Sequence, residues 1–273
     1  MTAGIPETIA DQPENPLWHG WRQIRAELCT DSPLAALNEQ ARQSGITNAL
    51  LSPIEFSDQT QPMGQRAYEA QIYNTGLVPT RAANLHDFYN ACAWLTFPAL
   101  KSALNAIHAH QIPSTQRSSA SDAATLFDES GAVLIGPDPS LAKHMMAHDW
   151  QTAFIHKRSC WKDHHLIIVG HAALEKLHAP YPSMIVKAIY QPWPATDPKD
   201  LDSAPQGLDQ ALATRWLNGE FVRPADLFPI PLMGIPNAVA QNSDPDYYND
   251  LNVFRPKRKP LGAKDQDRIN NQA

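Results

Sequence analysis

One stretch of the chain is nearly free of charge, and this limits how it can fold. Residues 84–110 contain only two formally charged side chains, Asp87 and Lys101. Apolar residues recur there at helical spacing and Pro98 interrupts the pattern, so we predict one helix on each side of this proline. Solvated helix faces typically carry Glu, Lys and Arg. Two helices with so few charges are therefore expected to be partly buried.

The polar residues of these two predicted helices form one stripe on each helix. The stripes consist of His86, Asp87 and Asn90 on the first helix and of Lys101, Asn105 and His108 on the second. His, Asn and Asp beside apolar neighbours suit a partly buried cluster, which must be hydrogen-bonded internally or bind a ligand. Two interpretations stay open here: a ligand-binding or active site, and a purely structural hydrogen-bond network.

A second group of chemically active residues follows the best strand candidate, residues 166–169. Gly170 turns the chain into a predicted helix on which His171 and Glu175 lie one turn apart. An imidazole nitrogen and a carboxylate oxygen at this spacing can bind a metal ion or form a proton relay. A simple hydrogen bond on the helix surface is the alternative.

Acidic residues form a third group. Asp122 can cap a short predicted helix, and Asp128 and Glu129 occupy a predicted turn before Gly131. Combined with the histidines, these carboxylates provide enough ligands for a site with one or two metal ions. The sequence contains none of the sharp signatures of catalytic or nucleotide sites, such as HExxH, a Walker loop, GxGxxG or GxSxG.

The composition indicates a folded protein and argues against several classes of function. Only 18% of the 273 residues are charged, and the net charge is −6. A chain of this charge has no general attraction for phosphate backbones or anionic membranes, so nucleic-acid binding is not expected. No apolar segment is long enough to span a membrane. Three scattered cysteines favour a reducing cytoplasm, and the oligomeric state stays open.

The predicted elements alternate irregularly, with several helices and few strands. This favours the α+β class, with one mainly helical domain and a small sheet. We assign the domain to residues 16–255, with a flexible tail at 1–15 and a basic, then polar, disordered tail at 256–273. Residues 68–78 fit a helix and a strand equally well, and residues 228–236 are expected to form a proline-broken apolar loop.

Several short runs of the sequence form a combined pattern. They are GLVPTR at 76–81, NLHDFYNA at 84–91, WLTFP at 94–98, LN at 104–105 with His108, TLFDESG at 125–131, GHA at 170–172, LEK at 174–176 and FRP at 254–256. Together they resemble the bacterial family known as domain of unknown function DUF3025, over about residues 15–257. The resemblance implies no activity, because the family has no assigned function. In its pattern an arginine precedes the aspartate that matches Asp122. This chain has Ser121 there, so a mechanism that needs this arginine would have to use Arg117.

The predicted function is a metal-assisted hydrolase, with a phosphoester as one candidate substrate. We expect a divalent metal ion to be held by His86, Asp87, His171 and Glu175. The predicted catalytic residues are His108, as general acid or base, and Asp122, and the predicted ligand-binding residues are Arg81, Asn90, Lys101 and Asn105. The alternative is a non-catalytic binding or scaffold protein whose polar cluster is a structural network.

Overall fold

Nine α-helices and six β-strands form the part of the chain that the computed structural model describes, namely residues 12, 14–28, 33–59, 61–81, 84–110 and 118–257. The helices are α1 (Arg22–Leu28), α2 (Pro33–Ser44), α3 (Gln65–Thr75), α4 (Leu85–Thr96), α5 (Pro98–His110), α6 (Ser119–Ser130), α7 (Ser140–Ala147), α8 (His171–Lys176) and α9 (Leu208–Leu217). The strands are β1 (Glu55–Asp58), β2 (Leu77–Thr80), β3 (Gly131–Gly136), β4 (His165–Ile168), β5 (Ile185–Pro192) and β6 (Phe228–Pro231). Short 3₁₀ helices cover Pro16–Trp18, Arg158–Lys162, Pro198–Asp200, Pro224–Asp226, Leu232–Gly234, Ala240–Ser243 and Pro245–Asn249, and Thr152–His156 is a π-helical turn.

Two of the expected segments fall almost entirely outside the described residues. The N-terminal tail, 1–15, is described only at residues 12, 14 and 15, and the C-terminal tail, 256–273, only at 256 and 257. Arg117 also lies outside them. The domain bounds 16–255 therefore stay a prediction.

The main sheet has four strands in the order β4-β3-β5-β6. β3 and β5 are parallel, whereas the pairs β3–β4 and β5–β6 are antiparallel. β3 has the sequence GAVLIG, and all of its residues are buried, as expected for an apolar strand inside a sheet. A second, two-stranded sheet consists of the parallel strands β1 and β2. The predicted α+β class, mainly helical with little sheet, is confirmed, although the described residues form two small sheets instead of one.

The pairing of β3 with β4 determines which helix ends become neighbours. Gly131 begins β3 directly after α6, and its carbonyl oxygen accepts hydrogen bonds from the N–H groups of Val169 and Gly170, each at 2.9 Å. Gly170 in turn directly precedes α8. Because the two strands are antiparallel, the end of α6 lies beside the start of α8.

The two nearly uncharged helices form as predicted. Asn84 caps α4, because its side-chain oxygen accepts a hydrogen bond from the N–H group of Asp87 at 3.0 Å. α5 begins at Pro98, directly after α4. α4 packs against α2 and α8, and α5 packs against α3, α6 and α9. Most residues of both helices are consequently buried.

Three local predictions are corrected or decided by the structure. The turn expected at 128–131 is the last turn of α6, which continues to Ser130 because no helix-breaking residue precedes Gly131. The loop expected at 228–236 contains β6, whose prolines are tolerated because β6 lies at an edge of the sheet. Residues 68–78 contain the end of α3 and the start of β2.

Buried apolar side chains from Leu17 to Phe254 form one continuous core cluster. Its largest fully buried members include Trp18, Trp21 and Trp94, which supply much of the apolar area removed from water. Among the described helices, none has both the length and the apolar composition that crossing a membrane requires.

We expect Gly170→Ala to lower the free energy of unfolding by about 2 kcal/mol more than Gly64→Ala does. A Cβ atom at Gly170 would lie 2.4 Å from the backbone nitrogen of Gly131 and 2.5 Å from the carbonyl oxygen of Glu129, so α8 would have to move away from α6. Gly64 is the matched control, because it also precedes a helix at negative φ and a Cβ there meets nothing within 4 Å. Urea unfolding measures both, and equal losses would contradict the close approach of the two helices.

Candidate metal centre

A cleft of about 650 Å³ is lined by residues from α3, α4, α5, α6 and α8, from the segment before α3 and by Arg81, which follows β2. Most of its lining residues are polar or charged. The polar and charged residues that line it are Gln59, Gln61, Gln65, Tyr68, Glu69, Arg81, His86, Asp87, Asn90, His108, Thr125, Asp128, Glu129 and His171. A cleft of this volume has room for a small-molecule ligand.

Three of these residues, His86, Glu129 and His171, place potential metal-binding atoms close together. The Nε2 atoms of the two histidines are 3.1 Å apart, and Nε2 of His171 is 3.7 Å from Oε2 of Glu129. One ligand atom from each residue lies within 4.8 Å of the other two. Glu129 lies in the last turn of α6 and His171 begins α8, so the pairing of β3 with β4 brings these two together, and α4 adds His86.

These separations suit a single metal ion. Ligand atoms about 2.0–2.1 Å from a tetrahedral Zn²⁺ lie about 3.4 Å from one another. The separations of 3.1 and 3.7 Å lie close to this value, and the three ligand atoms all lie within 4.8 Å of one another, so side-chain adjustments could bring them around one ion. Two imidazoles and one carboxylate also form a common ligand set of catalytic metal sites, in which a further position stays open for water or substrate.

Each histidine of the cluster has a carboxylate beside its other ring nitrogen. Nδ1 of His86 is 3.0 Å from Oε2 of Glu175 and forms a hydrogen bond with it. Nδ1 of His171 is 3.8 Å from Oδ2 of Asp128, too far for a hydrogen bond, and has no hydrogen-bond partner among the described residues. A negative charge beside Nδ1 favours the tautomer with the proton on Nδ1, which leaves the lone pair of Nε2 available for a metal ion. Glu175, expected from its spacing to be a ligand, thus lies behind His86, away from the converging Nε2 atoms.

Burial shifts the pKa values of His171 and Glu129. It lowers the pKa of His171 to about 3, so this imidazole is neutral at physiological pH. Burial and the neighbouring charge of Asp128 raise the pKa of Glu129. A neutral imidazole is the form that binds metal ions.

A buried ion pair joins Asp128, which lines the cleft, to Lys101, which does not. The ammonium group of Lys101, a residue that is 4% exposed, donates hydrogen bonds to Oδ1 of Asp128 at 2.5 Å and to Oδ1 of Asn90 at 2.8 Å. Asn90 donates in turn to the hydroxyl oxygen of Tyr68 at 2.6 Å. Burial raises the pKa of Asp128, but the charge and hydrogen bond of Lys101, together with the nearby His171 and His108, hold it below its usual value. Lys101, predicted to bind a ligand, instead joins α5 to α4 and α6.

Glu69 is a carboxyl group of the cleft wall that no sequence pattern identifies, because its neighbours in the cleft come from other elements. Burial and the nearby charge of Asp128 raise its pKa from 4.5 to about 7. Asn105, which is 3% exposed, donates to the backbone oxygen of Glu69 at 3.0 Å and to its Oε2 at 2.8 Å. Asn105 therefore positions Glu69 and does not line the cleft.

Arg81 and Asp87 form an ion pair in the cleft wall. Nε and Nη2 of Arg81 each donate to the carboxylate of Asp87 at 2.8 Å, and the backbone N–H group of Arg81 donates to it at 2.7 Å. These three bonds engage the carboxylate of Asp87 with Arg81. Asp87, predicted to be a metal ligand, is therefore part of this ion pair instead. The side chain of Arg81 is 52% exposed and keeps further N–H groups that could bind an anionic ligand.

The two residues predicted to be catalytic occupy different places. His108 lines the cleft, and its Nδ1 is 2.9 Å from the hydroxyl oxygen of Ser121. Asp122 is not among the described residues that line the cleft. It lies in the first turn of α6, about 10 Å along the helix axis from Glu129. The shared site therefore excludes Asp122 and takes its α6 carboxylates from the opposite end of the helix.

The cleft brings together six of the ten predicted site residues. They are Arg81, His86, Asp87, Asn90, His108 and His171. Lys101, Asn105 and Glu175 contact these residues or Glu69 from behind. The residues missed as members of the site include Tyr68, Glu69, Asp128 and Glu129, and of these only Asp128 and Glu129 carry a sequence signal, the acidic pair before Gly131.

The fold and the cleft define an α+β protein with a candidate metal centre built from two histidines and one glutamate. The sequence profile of the family described as protein of unknown function (DUF3025) matches residues 54–258. The chain therefore belongs to this family, as its sequence resemblance predicts. All three residues of the candidate centre lie within the matched span. The chain has no match among curated proteins or among solved structures.

We expect Lys101→Met to lower the free energy of unfolding by about 3 kcal/mol at neutral pH, because it leaves the carboxylate of Asp128 without its cation. Adding Asp128→Asn is expected to recover part of the loss, since it removes the uncompensated charge. Arg223→Met is the control, because its ion pair with Asp226 lies at the surface and should contribute little. Urea unfolding compares them. A loss in Lys101→Met no larger than in Arg223→Met would show that the buried pair does not stabilise the fold.

We expect Glu69 to stabilise the folded protein at low pH and to lose this effect as the pH rises. Its pKa is higher in the folded protein, about 7, than its ordinary value of 4.5, so the folded state binds more protons between these values. The resulting stabilisation is present below pH 4.5 and is lost as the pH rises through about 7. The free energy of unfolding of the wild type, minus that of Glu69→Gln, should fall by about 2 kcal/mol over this range. Parallel pH profiles of the two proteins would contradict the raised pKa.

Proposed function

We propose that this protein is a metal-dependent hydrolase whose cleft binds one divalent ion through His86, Glu129 and His171. The separation of 3.1 Å between the Nε2 atoms of the two histidines supports this most directly. If both protons are on Nδ1, as the adjacent carboxylates favour, two lone pairs face each other beside the carboxylate of Glu129. Such an arrangement is repulsive by itself and becomes favourable when a cation lies between the three groups.

The charges around the centre support an anionic substrate, with a phosphoester as our candidate. Asp87 is compensated by Arg81, and Asp128 by Lys101. A divalent ion would compensate Glu129 and leave one positive charge in excess. Two further carboxyl groups lie near the centre: Glu69, which is only partly ionised near pH 7, and Glu175, which lies outside the cleft lining beside Nδ1 of His86. The loaded cleft would therefore not repel a phosphate group, and Arg81 has N–H groups left to bind one.

Glu69 and His108 are the candidates for moving protons. A divalent ion would supply the acidity of a bound water, whose pKa it lowers to near neutral. In the proposed reaction the water oxygen bonds to phosphorus, Glu69 accepts the proton of the water, and the ester P–O bond breaks. His108 then donates a proton to the leaving oxygen. Asn105 and Ser121 position the two groups through the hydrogen bonds described above.

Metal titration of chelator-treated protein tests the site itself. We expect Zn²⁺ and Co²⁺ to raise the melting temperature of the wild type, with about 2.7 kcal/mol of stabilisation at a free ion concentration one hundred times the Kd. Glu129→Gln and His86→Ala should lose this response. His144→Ala should keep it, because His144 is also paired with a carboxylate, Asp149, but does not line the cleft.

An equal response in wild type and Glu129→Gln would exclude the proposed ligand set. Glu129→Gln makes this comparison secure, because the side chain is partly exposed and its replacement should not unfold the protein. No metal response in the wild type, together with a large stability loss in His86→Ala, would favour the alternative of a structural hydrogen-bond network.

The reaction is tested with bis(p-nitrophenyl) phosphate and p-nitrophenyl phosphate. Zinc-loaded or cobalt-loaded wild type should release nitrophenolate, and Glu69→Gln should lower the rate by at least about one hundredfold while it still binds the ion. Metal binding without cleavage of either ester would refute the phosphoesterase proposal and leave the metal site standing. Unchanged cleavage in Glu69→Gln would exclude this residue as the proton acceptor.

A further inference from the structure

A second cleft, of about 550 Å³, lies at the other end of β4 from the candidate metal centre. β4 begins at His165, which lines this second cleft, and the metal-centre residue His171 follows the end of the same strand. The remaining walls come from residues 14–22, 158–162, 198–199 and 235–237. The two clefts share no lining residue.

The charge of the second cleft is strongly one-sided. It is lined by four cationic side chains, Arg22, Arg158, Lys162 and Lys199, and by one carboxylate, Glu14. Arg22 donates to Asp202 at 3.0 Å, and Lys162 lies 3.7 Å from Asp163, so these two cations are partly compensated from outside the cleft. Among the described residues, no carboxylate oxygen lies within 4.0 Å of a side-chain nitrogen of Arg158 or Lys199, the distance that defines an ion pair.

Arg158 is held in place by neutral partners only. Its Nη1 donates to the hydroxyl oxygen of Tyr248 at 3.0 Å, and its Nη2 donates to Oδ1 of Asn242 at 3.3 Å. Tyr248 and Asn242 are both buried, which fixes the position of the guanidinium group. A partly buried guanidinium is usually paired with an anion. Here the protein fixes the cation and supplies no anion for it among the described residues.

His19 is a further polar residue of this cleft wall. The residue is 6% exposed and lines the cleft, and its Nδ1 is buried with no hydrogen-bond partner among the described residues. Burial, together with His165 and Arg22 nearby, lowers its pKa to about 3, so the ring is neutral. His19 therefore adds no charge to the cleft, and a neutral imidazole can donate one hydrogen bond.

We propose that this second cleft binds a small organic ligand through a phosphate group. Phosphate fits because its oxygens accept several hydrogen bonds and its charge of about −2 matches the excess of cations. The wall beside these cations includes Trp161, Leu166 and Pro236, which offer apolar surface to the organic part of the ligand. The site does not depend on the metal centre or on the proposed hydrolase activity.

Isothermal titration calorimetry of the full chain with inorganic pyrophosphate and with ADP, in EDTA at low salt, tests the proposal. EDTA removes any metal-dependent phosphate binding at the first cleft. The test variant is Lys162→Gln/Lys199→Gln, whose exposed side chains can be replaced without unfolding the protein. The control is Lys143→Gln/Lys257→Gln, which changes the net charge equally at exposed positions outside the cleft.

We expect at least one probe to bind the wild type and the control alike, and to bind the test variant about fivefold more weakly. Added salt should weaken the binding that remains. Tighter binding of ADP than of pyrophosphate would assign a contact to the organic part, and equal binding would assign the affinity to the phosphates. Absence of binding by both probes, or equal weakening in control and test variants, would overturn the site.

Discussion

The ion pair between Lys101 and Asp128 is the interaction on which the rest of the candidate site depends. The ammonium group of Lys101 also donates a hydrogen bond to Asn90, so one buried cation connects α4, α5 and α6. Asp128 lies beside Glu129 in sequence and beside His171 in space. Removing the cation would leave a carboxylate without compensation where water cannot fully solvate it. The same pair therefore stabilises the packing of the helices and sets the charge next to the candidate ligands.

The backbone contributes the second constraint, the antiparallel pairing of β3 with β4. This pairing places the last residues of α6 against the first residue of α8, and Gly170 allows the approach because a Cβ would collide with the backbone of α6. Two ligands from segments about forty residues apart thus become neighbours through strand register, and His86 arrives with α4. The opposite end of β4 contributes to the cationic second cleft.

Much of the architecture follows from local patterns, whereas the assembly of the site does not. The two nearly uncharged helices, the strand before Gly170 and the α+β class are predictable from spacing and capping residues. Spacing within one helix also suggested Glu175 as a partner of His171, but Glu175 bonds to His86. The residue facing His171 is Glu129, which local sequence marks only as part of a turn. The sequence predicts that Lys101 and Asn105 bind a ligand, but in the structure they are buried and bond to Asp128 and Glu69. The sequence alone does not show which polar residues contact each other.

In the proposed function, two histidines and one glutamate hold a divalent ion. An anomalous difference map, recorded at the zinc absorption edge from crystals grown with Zn²⁺, tests this directly. We expect a peak about 2.0–2.2 Å from Nε2 of His86, Nε2 of His171 and one carboxylate oxygen of Glu129. A metal site at these residues would be refuted if this position carried no anomalous density while zinc occupied other sites, or if the two Nε2 atoms stayed in direct hydrogen-bond contact.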